Sequence, residues 1–266
     1  MSTYSKEHID YLKKRKKNKI IVLFFQVFII VLFLITWELS SRLGLINSFL
    51  SSSPTQVYNT FISLLKQNNI WNHVLITSYE TLISFSLASA IGFLIASILW
   101  WNKIIAKIVD PYLTVLNSLP KVALGPLIII WVGANTNSII FMALMISTFI
   151  TIINMYEGFL ATDNYFITLL KTFNATKKQI FFKLIVPGNK INIINCLKVN
   201  ISMSLIGVIM GELLVSKKGL GYLIMYGSQV FNINLVITSV VLLAILAYVM
   251  YEIVIFIEKK TVKNKS

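Results

Sequence analysis

Long apolar runs separated by shorter polar and basic segments dominate the pattern of this sequence. Six such runs are present, at residues 20–39, 77–101, 108–132, 139–156, 189–215 and 233–257. A helix needs about 20 apolar residues to cross the hydrocarbon core of a bilayer. The pattern therefore predicts an all-α integral membrane protein with six transmembrane helices in one domain, residues 20–257. A basic N-terminal arm (1–19) and a basic tail (258–266) flank that domain.

Two of the polar segments between the runs have helical patterns of their own. The first lies between Arg42 and Asn72, where Ser53-Pro54-Thr55 resembles a helix start. The apolar positions that follow fall on one helical face: Val57, Phe61, Leu64 and Leu65. This spacing predicts an amphipathic helix that lies at the membrane surface.

The second segment, residues 163–187, predicts two short helices joined by a tight turn. Asn174 can adopt the left-handed conformation that ends a first helix. Thr176 and Gln179 have the spacing of a capping box that begins a second one. Pro187 is expected to end the second helix, because the residue before a proline avoids the α region. Each helix has an apolar face that needs a partner: Tyr165, Phe166, Leu169, Leu170 and Phe173, then Ile180, Phe181, Leu184 and Ile185.

Composition agrees with a polytopic membrane protein. The 266 residues are 56% hydrophobic and 13% charged, and the formal net charge is +14. The basic residues cluster between apolar runs, so this charge indicates membrane topology and not nucleic-acid binding. A lone cysteine, Cys196, excludes an internal disulfide and a cysteine-based metal cage, and His8 and His73 are too far apart to suggest a metal site.

The distribution of Lys and Arg also predicts the orientation. Eighteen of the 24 lie in the arm, at Lys103 and Lys107, in the central segment through Lys190, and in the tail. Four lie in the alternate segments, at Arg42, Lys66, Lys217 and Lys218. Basic loops stay in the cytoplasm. We therefore expect a multi-pass protein of a prokaryotic plasma membrane with both termini and Lys177 in the cytoplasm, and with Asn69 and Lys217 outside.

The central segment resembles the cytoplasmic loop of the membrane subunits of binding-protein-dependent ABC importers. That loop reads E-A-A, three residues, G, nine residues, I, one residue, L-P. Here the pattern falls on Thr168-Leu169-Leu170, Asn174, Leu184, Val186 and Pro187, so the proline and the aliphatic positions are present and the glutamate and glycine are not. The resemblance implies a type I importer permease and an ATPase-coupling interface made by Tyr165, Phe166, Leu169, Leu170, Phe173, Asn174, Ala175, Lys177, Lys178 and Pro187.

Two further stretches resemble the importer subfamily for nitrate, taurine and alkyl sulfonates. The third run carries Pro120, Pro126-Leu127 and Trp131-Val132-Gly133, and Glu212 precedes Gly219-Leu220-Gly221-Tyr222. Broken helices inside a membrane are tolerated beside protein or a water-filled cavity. Candidate pore or gate residues are therefore Pro120, Lys121, Pro126, Asn154, Asn200, Glu212, Gly219 and Gly221. A kinked packing helix, an ordinary outer loop and hydrogen bonds between helices are the alternatives.

The resemblance implies the permease subunit of an ABC importer for a small organic solute of the sulfonate, nitrate, taurine or vitamin-precursor class. It also implies a second permease copy, two copies of an ATPase that binds ATP and Mg²⁺, and an extracytoplasmic binding protein, with no nucleic-acid partner. The sequence contains no Walker-type phosphate loop, so we expect no ATPase activity and no bound cofactor in this chain. An ion- or proton-coupled secondary transporter is the main alternative, and a non-transporting membrane scaffold is another.

Overall fold

The computed structural model of the protein describes residues 6–46, 51–67 and 70–262, and these ranges fold into helices. Asn69, the first five residues of the arm and the last four of the tail lie outside the described residues. The chain divides into two compact units, Met1–Ser63 and Leu64–Ser266. Each unit is described by itself below.

The first unit contains one long helix, α1 (Lys6–Arg42). It covers both the basic arm and the first apolar run. Lys and Arg are good helix formers, so the helix continues through the arm without interruption. Its apolar side chains, such as Phe24 and Phe33, are exposed, which is the surface expected of a helix that faces lipid.

The predicted amphipathic helix is present as α2 (Pro54–Lys66), and α1 supplies part of its cap. Ser53 Oγ accepts a hydrogen bond from Gln56 N–H at 3.3 Å. The carboxylate of Glu38 accepts hydrogen bonds from Thr55 N–H at 3.1 Å and from the Thr55 hydroxyl at 2.7 Å. These contacts satisfy backbone donors that a helix start leaves unpaired. The location of α2 at the membrane surface stays a prediction.

The second unit holds the remaining spans. They are α3 (Ile70–Trp101), α4 (Lys103–Ser118), a 3₁₀ turn (Lys121–Leu124), α5 (Gly125–Val132) and α6 (Thr136–Leu160). The central segment contains α7 (Asn164–Thr172), α8 (Lys177–Ile180), a π-helical turn (Phe181–Ile185) and α9 (Val186–Gly188). The chain continues with α10 (Lys190–Val215), α11 (Leu220–Gln229) and α12 (Ile233–Val262).

The third apolar run is not one straight helix. The axes before and after the break at Leu119–Pro120 differ by 83°. Pro120 has no N–H to continue the helical ladder, and Pro126 occupies the first turn of α5, where a proline is tolerated. Five described helices are long and apolar enough to cross a membrane alone, and the bent pair supplies a sixth crossing if it counts as one.

One expectation about a helix end is wrong. Pro187 does not end the second central helix, because Val186 adopts helical angles (φ −62°, ψ −50°) and Pro187 lies within α9. The widened π-helical turn just before it shifts the carbonyl groups that a proline ring would otherwise meet. Residues 219–222 lie at the start of a further helix. Gly219 has a φ of 106° and caps α11, a helix that the sequence analysis did not predict.

The centre of the second unit is the contact of α10 with α6 and of α6 with α3. Glycines on α10 allow its backbone to approach the backbone of α6 closely. A Cβ atom at Gly207 would collide with the Cα atom of Ala143, and one at Gly211 would lie 2.9 Å from the Cα atom of Ile139. Small residues at such crossings let helix backbones approach each other, which is how membrane helices gain packing contacts without a hydrophobic driving force.

We predict that Gly207→Ala destabilises the purified protein by about 1–3 kcal/mol, because the added methyl group must displace the backbone of α6. The matched control is Gly158→Ala in the same helix pair. A Cβ atom there would meet Asn192 Cβ at 3.4 Å, which is an ordinary contact. Thermal unfolding in detergent measures both variants. Equal melting temperatures for the two would contradict the close crossing of α6 and α10.

Candidate functional site

The central segment folds locally as its sequence predicts. Asp163 begins α7, and its carboxylate accepts a hydrogen bond from Tyr165 N–H at 2.9 Å. Asn174 adopts the left-handed conformation with a φ of 56°. Thr176 and Gln179 form the capping box at the start of α8, in which Gln179 Oε1 accepts from Thr176 N–H at 2.8 Å. The helix, the turn and the second helix are thereby confirmed.

The apolar face of the second half packs into the core of the chain itself. Ile180, Phe181 and Ile185 are buried in a cluster with residues of α3, α6 and α10. The ring centroid of Phe181 lies 5.0 Å from that of Trp100 and 5.2 Å from that of Trp101, both at the end of α3. We call these three residues the aromatic anchor. Because aromatic side chains contribute large buried area, the anchor fixes this half of the segment to the spans.

Lys177, an expected coupling residue, also contacts the end of α3. Its ammonium donates a hydrogen bond to the carbonyl of Trp101 and lies 5.9 Å from the ring centroid of Trp100. Leu170 and Ala175 pack against the buried cluster as well, and Pro187 is half-buried within α9. These four residues therefore make contacts inside the chain.

The remaining coupling residues form an uncovered apolar surface on and just after α7. Its members are Tyr165, Phe166, Leu169 and Phe173, with exposed fractions of 67%, 49%, 40% and 75%. We call this the α7 face. Asn174 and Lys178 beside it are exposed too. Four large exposed apolar side chains on so short a helix mark an interaction surface.

A second cluster of candidate residues surrounds Glu212 near the end of α10. Glu212 Oε1 accepts a hydrogen bond from the Thr77 hydroxyl at 2.6 Å, and Oε2 accepts from Gly221 N–H at 2.6 Å. Leu220 N–H donates to Thr77 Oγ1 at 2.9 Å, and Gly219 N–H donates to His73 Nδ1 at 3.0 Å. The residues that tie α3, α10 and the start of α11 together are here called the carboxylate latch: His73, Thr77, Glu212, Gly219 and Gly221.

The two glycines of the latch are required because a larger residue at either position would collide with Glu212. A Cβ atom at Gly221 would lie 2.8 Å from Glu212 Cβ and 2.9 Å from its Oε2. A Cβ atom at Gly219 would overlap the Glu212 carboxylate, and the positive φ of Gly219 disfavours any other residue. Glu212, Gly219 and Gly221 thus belong to one buried arrangement.

The residues of α3 in this region were not predicted as functional from the sequence. His73, Thr77 and Glu80 recur at helical spacing on one face of α3, and all three are buried. Glu80 carried a signal, because an acidic residue within an apolar span is costly and commonly functional. Thr77 carried none, since a threonine in a span usually bonds to its own helix.

The other pore candidates lie at separate places. Asn200 is fully buried, and its amide donates to Ser89 Oγ at 2.7 Å and to the carbonyl of Phe85 at 3.3 Å, which is a packing bond between α10 and α3.

Asn154 lines an open groove of about 350 Å³ with Glu157, Asn192 and Asn195. Pro120 and Pro126 are exposed beside the break, and the ammonium of Lys121 lies 5.6 Å from the ring centroid of Phe149. In the described part of the chain, no group of three or more His, Cys, Asp or Glu residues is placed to hold a metal ion.

Comparison with known proteins identifies the class. Residues 88–262 match the family described as binding-protein-dependent transport system inner membrane component. This chain belongs to that family. The match covers the latch carboxylate Glu212, the central segment and α12.

Relatives and solved structures agree with this assignment. The chain is 28% identical over 192 residues to the formylaminopyrimidine transport permease protein ThiX of Halalkalibacterium halodurans, covering 72% of this chain and 76% of that protein. It is 25% identical over 227 residues to the putative aliphatic sulfonates transport permease protein SsuC of Bacillus subtilis, covering 85% of this chain and 82% of that protein. An inward-facing structure of the MetNI methionine ABC transporter shares the fold, with a TM-score of 0.63, 20% identity, and coverage of 74% of this chain and 96% of that one.

These findings make the chain a multi-pass permease subunit of an ABC importer in the plasma membrane, with the type I fold that the resemblance implied. The family is that of a transporter's membrane subunit and not of an ATPase, so the importer works with an ATPase partner. No support for the ion- or proton-coupled alternative comes from these comparisons.

We predict that Thr77→Val loosens the latch, because it leaves Glu212 Oε1 and Leu220 N–H without these hydrogen-bond partners at a cost of about 1–3 kcal/mol. Thr81→Val is the matched control. Thr81 is equally buried one turn along α3, but its hydroxyl donates to the Thr77 carbonyl of its own helix. Thermal unfolding in detergent should show a clear loss for Thr77→Val and little change for Thr81→Val. Similar losses for both variants would contradict the latch.

Proposed function

We propose that this permease pairs with a second copy of itself to enclose the path for a small organic solute of the sulfonate, nitrate, taurine or vitamin-precursor class. The support for this class comes from two relatives, whose names give formylaminopyrimidine transport for ThiX and, as a putative function, aliphatic sulfonate transport for SsuC. An extracytoplasmic binding protein delivers the solute. The pairing follows from the central segment, because one segment per chain matches an ATPase dimer that offers two docking sites.

The α7 face is the observation that carries the coupling proposal. Its exposed side chains, with Phe173 the most exposed, enter a groove on the ATPase, where buried aromatic residues commonly dominate the binding energy. The aromatic anchor then connects this docked segment to α3. ATP and Mg²⁺ bind to the partner ATPase and not to this chain. When ATP closes the two ATPase subunits, the segment moves with them and the anchor passes the displacement to the spans.

The orientation belongs to the same proposal, since the α7 face must lie in the cytoplasm to reach an ATPase. It rests on the Lys and Arg distribution. In a Cys196→Ser background, Lys178→Cys should stay unlabelled by a membrane-impermeant thiol reagent in intact cells, whereas Lys217→Cys should react. Both native side chains are exposed on the protein surface, so a difference in labelling between the two positions reports the side of the membrane and not burial within the protein. Labelling of Lys178→Cys in intact cells would show that the central segment lies outside and would contradict this orientation.

We predict that Phe173→Asp abolishes ATPase association or uncouples ATP hydrolysis from transport, because the substitution forces a charge into an apolar groove at a cost of several kcal/mol. The matched control is Asn164→Asp. This substitution also adds one negative charge to α7. Helical spacing places residue 164 on the side opposite the α7 face. The measurement is the amount of ATPase that co-purifies with each tagged variant from native membranes, together with hydrolysis in reconstituted vesicles.

Membrane insertion and the melting temperature of the permease should be unchanged in both variants, which separates docking from folding. If Phe173→Asp retains the ATPase at the control level and hydrolysis stays coupled to transport, the α7 face is not the coupling surface.

A further inference from the structure

The basic arm at the start of α1 carries a dense positive charge that neither the central segment nor the latch explains. Six of the seven residues from 13 to 19 are Lys or Arg, and the seventh is Asn18. All seven side chains are exposed. The ion pairs within the described residues are Glu38–Arg42 and Lys198–Glu258, and neither involves the arm. The six positive charges therefore have no acidic partner in the described part of the chain.

The position of these charges along α1 matches the headgroup layer of a bilayer. The helix runs unbroken from Lys6 to Arg42, and its apolar run begins at Ile20. At about 1.5 Å per residue, the stretch from Lys14 to Lys19 covers about 7.5 Å of the helix axis. The polar layer on each side of the hydrocarbon core is about 5–7.5 Å thick. The basic side chains are thus placed among lipid headgroups.

A groove of about 770 Å³ along one side of α1 joins the charged stretch to the apolar run. Lys14, Arg15 and Lys19 line its polar part, and we call them the groove cations. Val22 and Leu23 line its apolar part. The volume falls within the range of about 300–1,000 Å³ that is typical of small-ligand sites. Cations at one end and aliphatic side chains at the other match the order of headgroup and acyl chain in a phospholipid.

The groove cations suit an anionic headgroup. The guanidinium of Arg15 can donate two parallel hydrogen bonds to one phosphate. Lys14 and Lys19 supply compact charges on flexible stems that reach toward the same group. Basic clusters directly beside a transmembrane helix attract anionic lipids. A soluble anion or a nucleic acid would use the cations but would leave the apolar part, Val22 and Leu23, without a partner.

The other three basic residues of the stretch lie on the opposite side of the helix. They are Lys13, Lys16 and Lys17, and none of them lines the groove. At about 3.6 residues per turn, their side chains point away from the groove cations. The two sets carry equal charge at nearly the same depth. Comparing them therefore separates a lipid site from general electrostatic attraction.

We propose that this groove binds one anionic phospholipid, whose phosphate is held by the groove cations and whose acyl chain lies along Val22 and Leu23. The bound lipid holds α1 at a fixed depth in the bilayer. With the orientation proposed for the chain, the lipid belongs to the cytoplasmic leaflet. All the groove residues named here belong to α1, so the permease alone is sufficient for a test.

The test measures which lipid lies beside the groove. Phe25 and Val27 are both exposed at nearly the same depth of α1, the first on the groove side and the second on the far side. Phe25→Cys and Val27→Cys, each in a Cys196→Ser background, are labelled with a fluorophore and reconstituted in phosphatidylcholine vesicles. A small fraction of the lipid is phosphatidylglycerol or phosphatidylcholine with brominated chains, which quench a nearby fluorophore. Both leaflets have the same composition, so the result is independent of the proposed orientation.

We expect brominated phosphatidylglycerol to quench the label at residue 25 several-fold more than brominated phosphatidylcholine, and the ratio at residue 27 to be clearly lower. Replacing the three groove cations together by glutamine should lower the ratio at residue 25 to the value at residue 27. The matched control replaces the three opposite lysines by glutamine, which removes the same charge and should retain most of the ratio. Glutamine is a good helix former, so neither triple variant should disturb α1.

Equal quenching by the two lipids at residue 25 of the parent would overturn the proposal, and this is the result expected if the arm binds nucleic acid, an acidic protein or a soluble anion. Equal losses in the two triple variants would also overturn it, because charge alone would then attract the lipid. A further measurement needs no variant of the arm. High salt should reduce the ratio at residue 25, because it screens exposed charges, and a ratio independent of salt would contradict binding by the groove cations.

Discussion

The packing of α3 and α10 against each other and against α6 connects the two regions to which we assign function. One end of α3 carries Trp100 and Trp101, which hold Phe181 of the central segment. The other end carries His73 and Thr77, which hold Gly219 and Leu220. At about 1.5 Å per residue, the 32 residues of α3 span about 48 Å. The segment therefore contacts a helix that also reaches the latch.

The hydrogen bonds along these helices follow from the low polarity of a membrane interior, where an unsatisfied polar group is costly. Polar residues of the spans consequently find partners on neighbouring helices. Asn200 bonds to Ser89 and Phe85 across α10 and α3, and Glu212 bonds to Thr77 and to the backbone of Gly221. The same requirement makes Glu80 conspicuous, since its buried Oε2 has no hydrogen-bond partner among the described residues.

The two halves of the central segment have different surroundings, and this difference suits a coupling element. The half that begins at Thr176 is buried against the spans through Ile180, Phe181 and Ile185. The α7 face is left exposed. An element that must pass force between two proteins needs one surface fixed to the first and another free to bind the second. The π-helical turn at Phe181–Ile185 allows Pro187 to remain inside the helical run that joins this segment to α10.

The amino-acid sequence by itself determined the membrane class, the apolar runs, the helix, turn and helix of the central segment, and the family. These properties depend on local signals: run length, charge distribution, the capping box at Thr176 and the left-handed Asn174. The tertiary structure decided where the third run bends, that Pro187 continues a helix, and that Asn200 bonds to α3. It also decided that Glu212 meets Thr77 and Gly221, and that Gly219 meets His73. The bonds of Asn200 to Ser89, of Glu212 to Thr77 and of Gly219 to His73 join residues more than 100 positions apart. The sequence of one helix carries no record of which neighbour will satisfy its polar groups.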